Sequence, residues 1–361
     1  MPSVLHLLPH RGGGGERYVD ELEAIPGYVH ERAWLSPSRS PLAAAPSILA
    51  RRPALAREAR RHDLIHVHGD VASMLVLPLL RSQPGLVTTH GLSFLRRSRG
   101  VPFRLARARW SRVAREARRI VCTSHAEREE LLALGGSERA ARLAVVPNGL
   151  ALPAPRDGDR RRAIRAELGL GEQEIAGLYL GLLDRYKDPL TAVRAAQLVR
   201  GEGVPFTLLV AGDGPLLGAV SRQAGPGLRV LGFREDPKPL LLAADVFAMP
   251  STREGSSYAL LEAMGHGLAI VASDGAGISE LVGEAAITVA VGDAHAFARA
   301  VLALACDGAY RERLGESARA RVGECFGVDR FTGSMRALYE AVLAEPETPR
   351  AARWARVPDA A

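Results

Sequence analysis

Two carboxylates, Glu254 and Glu262, stand eight positions apart within the stretch from Pro250 to Ser273. Before them, Asp245-Val246-Phe247-Ala248-Met249-Pro250 reads as a buried strand that ends at a proline. After the polar turn, Tyr258 to Met264 reads as a helix. At about 1.5 Å of rise per residue, eight positions span roughly 12 Å, the reach of a ligand with a sugar at one end and a nucleoside at the other. A carboxylate accepts hydrogen bonds from two hydroxyls, which suits a vicinal diol. Gly255-Ser256-Ser257 opens the helix, where backbone N–H groups without intrahelical partners suit a diphosphate between the two ends.

Other residues could serve the same chemistry. His10-Arg11-Gly12-Gly13-Gly14-Gly15-Glu16 joins an apolar strand, Val4 to Leu8, to a helix expected over Glu16 to Ala24. Gly12, Gly13, Gly14 and Gly15 would there let bare backbone approach a ligand, or simply make a flexible turn. Lys187 and Lys238 are the only lysines against 45 arginines, so Lys187, in Leu182-Leu183-Asp184-Arg185-Tyr186-Lys187-Asp188, draws notice. His90 follows a strand in Thr88-Thr89-His90-Gly91, either as a polar contact in a cleft or as a histidine satisfied by backbone. His66 and His68 alternate with apolar residues on one strand, but no third ligand at a recognisable spacing accompanies them, so no metal is expected. Asp157-Gly158-Asp159 has a two-aspartate spacing but sits in a polar linker and reads as a solvated turn.

Read as one string, Glu254-Gly255 with Glu262-Ala263-Met264 resembles the donor-site signature of the retaining glycosyltransferases of family four, which have the GT-B fold. That resemblance implies an α/β chain of two Rossmann-like doubly wound domains with a cleft between them. It implies transfer of a sugar from a UDP- or GDP-linked donor, with no further cofactor and no metal, to a glycan, lipid-linked or small-molecule acceptor. Glu254 is the implied sugar contact and Glu262 the ribose contact, while His90 orients the sugar and stabilises developing charge. His90, Glu254 and Lys187 form the implied catalytic set; Gly181, Arg185, Lys187, Gly255, Ser256, Ser257, Tyr258 and Glu262 the donor-binding set; Gly12 to Gly15 line the cleft. Relatives usually carry an arginine where this chain has Leu182, and Arg185 is the nearby cation that could replace it. Phe-Gly is frequent where Ser256-Ser257 stands, and proline where Ala269 stands. A non-catalytic nucleotide-sugar or glycan-binding homologue is the alternative that Leu182 raises.

The 361 residues suffice for two cores, and 47% hydrophobic with 24% charged residues describes a globular protein. Strands expected at Tyr28–Trp34, Leu64–His68, Leu86–His90, Ile120–Ser124 and Leu143–Val146 alternate with helical stretches, the pattern of a parallel sheet that binds ligand at its strands' carboxyl ends. His68, His90 and Ser124 fall at such ends. A second set begins with Ala176 to Gly181 and a helix over Pro189 to Arg200, and continues through Leu208-Leu209-Val210-Ala211 and Leu228 to Phe233. The expected domains are 1–153 on the acceptor side, with a proline-broken segment from Pro26 to Arg61, and 154–325 on the donor side, joined by a linker over Pro153–Arg162. A helix within 326–345 is expected to return to the first domain, ahead of a tail over 346–361. Cys122, Cys306 and Cys325, odd in number and widely spaced, read as buried thiols.

The +7 net charge resides in the first half, where residues 96–119 hold ten arginines. Phe103, Ala106, Trp110, Val113 and Ala117 recur there at helical spacing, so the cationic face is either solvated or docks on an anionic membrane. No aromatic-interleaved patch or binding motif points to nucleic acid. The longest apolar run, Val71 to Leu80, is too short to span a bilayer, and the N-terminus reads as a strand rather than a secretion signal. A cytoplasmic protein is the expectation, with docking at the inner face of the membrane as the alternative that the cationic helix raises.

Overall fold

The structure, a computed structural model, describes residues 1–11, 13–36, 41–135 and 137–346. Gly12 and nearly all of the expected tail lie outside the described residues. Among the described residues, twelve strands form two six-stranded parallel sheets. The first contains β1 (Ser3–Leu8), β2 (Val29–Trp34), β3 (Leu64–His68), β4 (Gly85–Thr88), β5 (Arg119–Cys122) and β6 (Leu143–Val145), in the order β2-β1-β3-β4-β5-β6. The second contains β7 (Ile175–Leu180), β8 (Phe206–Ala211), β9 (Leu228–Gly232), β10 (Val246–Met249), β11 (Ala269–Ser273) and β12 (Ile287–Val289), in the order β12-β11-β10-β7-β8-β9. β3, β4, β8, β10 and β11 are buried along their whole length, as expected for strands covered by helices on both faces. Strand order reverses between β1 and β3 and between β7 and β10, and ligands bind such sheets at these switch points.

Several local expectations change. His90 lies beyond β4 with φ 50°, a left-handed conformation that cannot continue a strand, so β4 stops at Thr88. The Pro26–Arg61 segment is largely ordered secondary structure: β2 is followed by a helix over Pro41–Ala59 that contains Pro46 and Pro53. The linker is shorter than expected because a helix over Gly158–Glu167 starts inside it. Asp157 caps that helix by accepting from Asp159 N and Arg160 N, which accounts for the Asp-Gly-Asp spacing without a metal. Cys122 is buried, but Cys306 and Cys325 are exposed, each the last residue of a helix that ends at the surface. The arginine-rich segment forms a helix over Gly100–Glu116 that buries Ala106, Trp110, Val113 and Ala114.

The last helix, Val328–Ala344, returns to the first sheet. Its Phe331, Met335, Tyr339 and Val342 share a core with Val4, Leu64, Leu86 and Val121. Arg118 fastens it by donating to Val342 O at 2.6 Å and Glu345 O at 2.8 Å. Gly149, in Pro147-Asn148-Gly149, gives Phe331 its room, since a Cβ there would collide with that ring.

Candidate active site

The two sheets face each other across a cavity of about 400 Å³ at the ends of their strands. From the β7 side comes the loop Gly181 to Lys187. Asp184 Oδ1 accepts from Tyr186 N and Lys187 N, both at 2.9 Å, which fixes a tight turn and projects Lys187 forward. From the β10 side comes Glu254, nearly buried, whose two carboxylate oxygens each lie 2.6 Å from Lys187 Nζ. A half-exposed ammonium held symmetrically by a buried carboxylate is a strong polar anchor at the cavity wall.

The turn after Glu254 is locked to the first half of the chain. Asn148 donates from its Nδ2 to Ser256 O at 2.5 Å and from its backbone N–H to Ser256 Oγ at 3.0 Å. Gly255 lies so close to Thr123 that a Cβ would strike its Oγ1. Ser257 is the extended residue at the start of the Tyr258–Gly265 helix, so Ser256, Ser257, Tyr258 and Ala259 present that helix's N-terminus to the cavity. Opposite, Gly14 and Gly15 open the first helix, Gly14–Leu22, and a Cβ on Gly14 would meet the Tyr258 ring at 3.6 Å.

His90 enters from the first sheet. Its turn is held by Glu127, fully buried, which accepts from Gly91 N at 2.6 Å and from Thr123 N and Oγ1 at 2.6 and 3.0 Å. One carboxylate thereby joins the His90-Gly91 turn to the Thr123 strand end that abuts Gly255. Burial lowers the His90 pKa to about 4, so its ring is neutral at neutral pH and acts through hydrogen bonds rather than charge.

Of the residues singled out in the sequence, Gly14, Gly15, His90, Gly181, Lys187, Glu254, Gly255, Ser256, Ser257 and Tyr258 line the cavity. Gly13, Arg185 and Glu262 do not. Gly13 is the N-cap of the first helix with φ 93°. Arg185 stacks its guanidinium 4.7 Å from the Tyr186 ring centre and donates to Tyr186 OH. Glu262 is ion-paired with Arg17, whose guanidinium also lies 5.2 Å from the centre of the Tyr258 ring. Leu182 lines the cavity half-exposed; besides Lys187, the cations on the wall are Arg96 and Arg253, which share Glu130 at 2.7 and 3.7 Å. Asn148 Oδ1, Tyr258 Oη and Arg17 Nε, in or beside this wall, are buried without a partner among the described residues, groups that a polar ligand would satisfy.

Sequence reasoning passed over Arg96, Arg253, Thr123 and Glu127. Only Glu127 had a local signal: Ser124-His125-Ala126-Glu127 has capping-box spacing, and Glu127 N does donate to Ser124 Oγ at 3.1 Å. It also missed the third histidine beside His66 and His68. His6 on β1 pairs in register with His66 on β3, bringing donor atoms of His6, His66 and His68 within 4.8 Å of one another. Every ring nitrogen of these three is already hydrogen-bonded within the protein: His6 to His68 and His30, His68 also to His90, and His66 to Tyr339 and Thr88.

Two doubly wound sheets with a polar cavity between their strand ends define a two-domain α/β protein of the nucleotide-binding kind. Comparison with known proteins narrows the class. Residues 6–152 match the family described as Glycosyltransferase Family 4, and residues 175–307 the family described as Glycosyl transferases group 1, so the chain belongs to these GT-B glycosyltransferases. It is 29% identical over 234 residues to an Escherichia coli UDP-Gal:alpha-D-GlcNAc-diphosphoundecaprenol alpha-1,3-galactosyltransferase, covering 59% of this chain and 58% of that one. It is 34% identical over 186 residues to a D-inositol 3-phosphate glycosyltransferase of Nocardia farcinica, covering 47% of this chain and 41% of that one. The matches thus span about half the length of these relatives. Among solved structures, Anabaena HepE in complex with UDP and glucose superposes with a TM-score of 0.79 at 19% identity, over 94% of this chain and 100% of that one. Sucrose-phosphate synthase of Thermosynechococcus elongatus does so with a TM-score of 0.79 at 22% identity, over 95% and 100%.

Proposed function

We propose that this chain transfers a sugar from a nucleoside-diphosphate donor to an acceptor hydroxyl, with retention of configuration. The observation that carries the proposal is the Lys187–Glu254 pair, set in the cavity beside the N-terminus of the Tyr258–Gly265 helix. A donor diphosphate would take over Lys187 and the helix N–H groups, positive charge held where the leaving group gains negative charge. Glu254, released from the ammonium, would accept from sugar hydroxyls, and His90 would orient the sugar from the opposite wall. Arg96 and Arg253 are the cations best placed to offset Leu182. Glu262 reaches the nucleoside ribose only if Arg17 yields, so Arg17 and Glu262 together form the edge of the nucleoside site.

UDP is the donor nucleotide to test first, since the galactosyltransferase relative uses UDP-Gal and HepE was solved with UDP; GDP is the competitor. A lipid-linked acceptor at an anionic, cytoplasm-facing membrane surface fits the arginine-rich helix, on which Val101 and Leu105 stand exposed among arginines. No helix among the described residues is long and apolar enough to cross a membrane. The second reading, a homologue that binds nucleotide sugars without turnover, is favoured by Leu182. The deciding experiment is calorimetric binding of UDP- and GDP-sugars followed by turnover with lipid-linked and soluble acceptors. Donor binding without transfer or hydrolysis selects the second reading, and no donor binding refutes both.

A further inference from the structure

Five of the ten histidines cluster behind the cavity, and four of them form a line. His30 Nδ1 lies 2.9 Å from His6 Nε2, His6 Nδ1 lies 3.1 Å from His68 Nε2, and His68 Nδ1 lies 3.0 Å from His90 Nε2. The line runs from half-buried His30 on β2, through fully buried His6 and His68, to His90 at the cavity wall. Burial lowers the pKa of each of the four, so each ring is neutral at neutral pH. A neutral imidazole has one N–H and one bare nitrogen, so three consecutive N···N bonds permit two arrangements: every ring donates toward the cavity, or every ring donates away from it.

The ends decide between them. His30 Nε2 is buried with no partner among the described residues. Donation away from the cavity would place an N–H on that atom, an orphaned donor; donation toward the cavity leaves it a bare acceptor, the less costly orphan. At the other end, donation toward the cavity gives His90 an N–H on Nδ1, a nitrogen with no partner among the described residues, at the cavity that the Glu254 carboxylate also lines. Arg32, beside the outer end, is paired with Glu23 and Asp20, so its field on the line is largely cancelled.

We propose that His30, His6 and His68 are positioning residues that hold His90 as an Nδ1–H hydrogen-bond donor directed at the bound sugar. The direction toward sugar rests on the donor-site reading above; the tautomers do not. His66 supplies an internal contrast. Thr88 Oγ1 donates to Tyr18 OH, so it accepts from His66 Nε2, and Tyr339 OH donates to His66 Nδ1. His66 is therefore the Nε2–H tautomer, while His6, His30, His68 and His90 are all Nδ1–H.

The test is long-range proton–nitrogen correlation NMR on the full chain labelled with [15N]histidine, without ligand, at neutral pH. For the five clustered histidines, assigned by single substitutions, four Nδ1–H rings and one Nε2–H ring are the expected pattern; an Nε2–H His90 overturns the proposal. In His68→Phe, His90 is expected to revert mainly to Nε2–H. In His68→Asn, whose amide N–H stands in for Nδ1–H, it is expected to remain Nδ1–H. The same His90 tautomer in both variants overturns the proposal. One equivalent of zinc that abolishes the N–H signals of His6 and His68 would mean a metal site in place of the hydrogen-bonded line, and overturns it too. None of these readouts needs a donor, so they fail independently of the glycosyltransfer reading. Where a donor turns over, His68→Phe is expected to lower kcat about tenfold with donor KM unchanged, and His68→Asn to restore it.

Discussion

Lys187 Nζ lies 2.6 Å from both carboxylate oxygens of Glu254, and the pair spans two loops of the second sheet at the cavity wall. The contact satisfies a nearly buried carboxylate in the absence of ligand, and a diphosphate must compete for its cation. A donor that supplies both an anion for Lys187 and hydroxyls for Glu254 replaces the pair without leaving either charge unpartnered. A donor lacking either half cannot.

Lys187→Ala is accordingly expected to weaken UDP binding about 5- to 30-fold, about 1–2 kcal/mol for a charge contact discounted for the half-exposed ammonium. Lys187→Arg should recover only part of this, because a planar fork does not fit a site built for a compact ammonium. Calorimetric titration of UDP into the three proteins is the check, and unchanged affinity in the alanine variant would place the diphosphate elsewhere.

Glu254→Gln should separate the sugar from the nucleotide. The amide retains some hydrogen-bonding capacity but loses the charge, so binding of UDP alone is expected to be unchanged or slightly tighter as Lys187 is released. Transfer should fall by about 10²-fold or more, in line with removal of a charged contact to the transition state. Equal losses in UDP binding and in transfer would contradict the assigned division of labour.

Gly255 tests how the two halves meet. A Cβ there strikes Thr123 Oγ1, which Glu127 holds in place, so Gly255→Ala should force the donor loop away from the His90 turn. A severalfold rise in donor KM is expected, and Thr123→Ala in the same chain should relieve part of it. A double-mutant coupling of about 1 kcal/mol from steady-state kinetics would show the contact; additive effects would remove it.

These residues also show what the sequence could and could not reveal. Strand existence was legible because strands covered on both faces read as apolar runs, and β3 was placed residue for residue at Leu64–His68. Strand ends were less legible where backbone geometry decides: His90 bears no mark of its positive φ. The cavity-lining loop from Glu254 was legible as a string, because Glu254, Gly255 and Ser256 are close in the chain. Glu127 and Arg96 were not, since their places beside the cavity depend on contacts with residues 34 or more positions away, such as Gly91 with Glu127 and Arg96 with Glu130. His6 joins His66 only through the parallel register of β1 and β3, sixty positions apart, which no local pattern encodes.

The arginine-rich helix yields a prediction about surfaces. Val101 and Leu105 are 66% and 67% exposed on the same helix as exposed Arg104 and Arg112, whereas Arg107 and Arg109 donate to backbone carbonyls of Leu134 and Met74. Binding to vesicles containing anionic lipid should therefore depend on the first four and weaken with salt. Leu105→Glu is expected to reduce vesicle co-sedimentation severalfold with no change in melting temperature. Binding that survives Leu105→Glu with Arg104→Glu would assign the helix a solvated face only.

The buried histidines predict an unusual acid response. His6, His66 and His68 titrate well below 6.5 in the folded chain, and His90 at about 4, in every case chiefly because burial penalises the cation. Below pH 6.5 the unfolded chain binds these protons and the folded chain does not, so stability must fall as pH falls from 6.5 toward 4. Each such histidine contributes about 1.4 kcal/mol per pH unit in that window, so four approach about 5 kcal/mol per unit. A domain with about 5–10 kcal/mol of stability would then unfold within about one to two pH units below 6.5, before its carboxylates are extensively protonated. The urea midpoint followed from pH 7 to 5 gives the proton uptake on unfolding. Three to four protons from these residues are expected near pH 5, with a further contribution from His30 and His266, whose pKa values burial also lowers, and the total falls by about one in His66→Gln; uptake of one or fewer would mean that the histidines are not buried as a group.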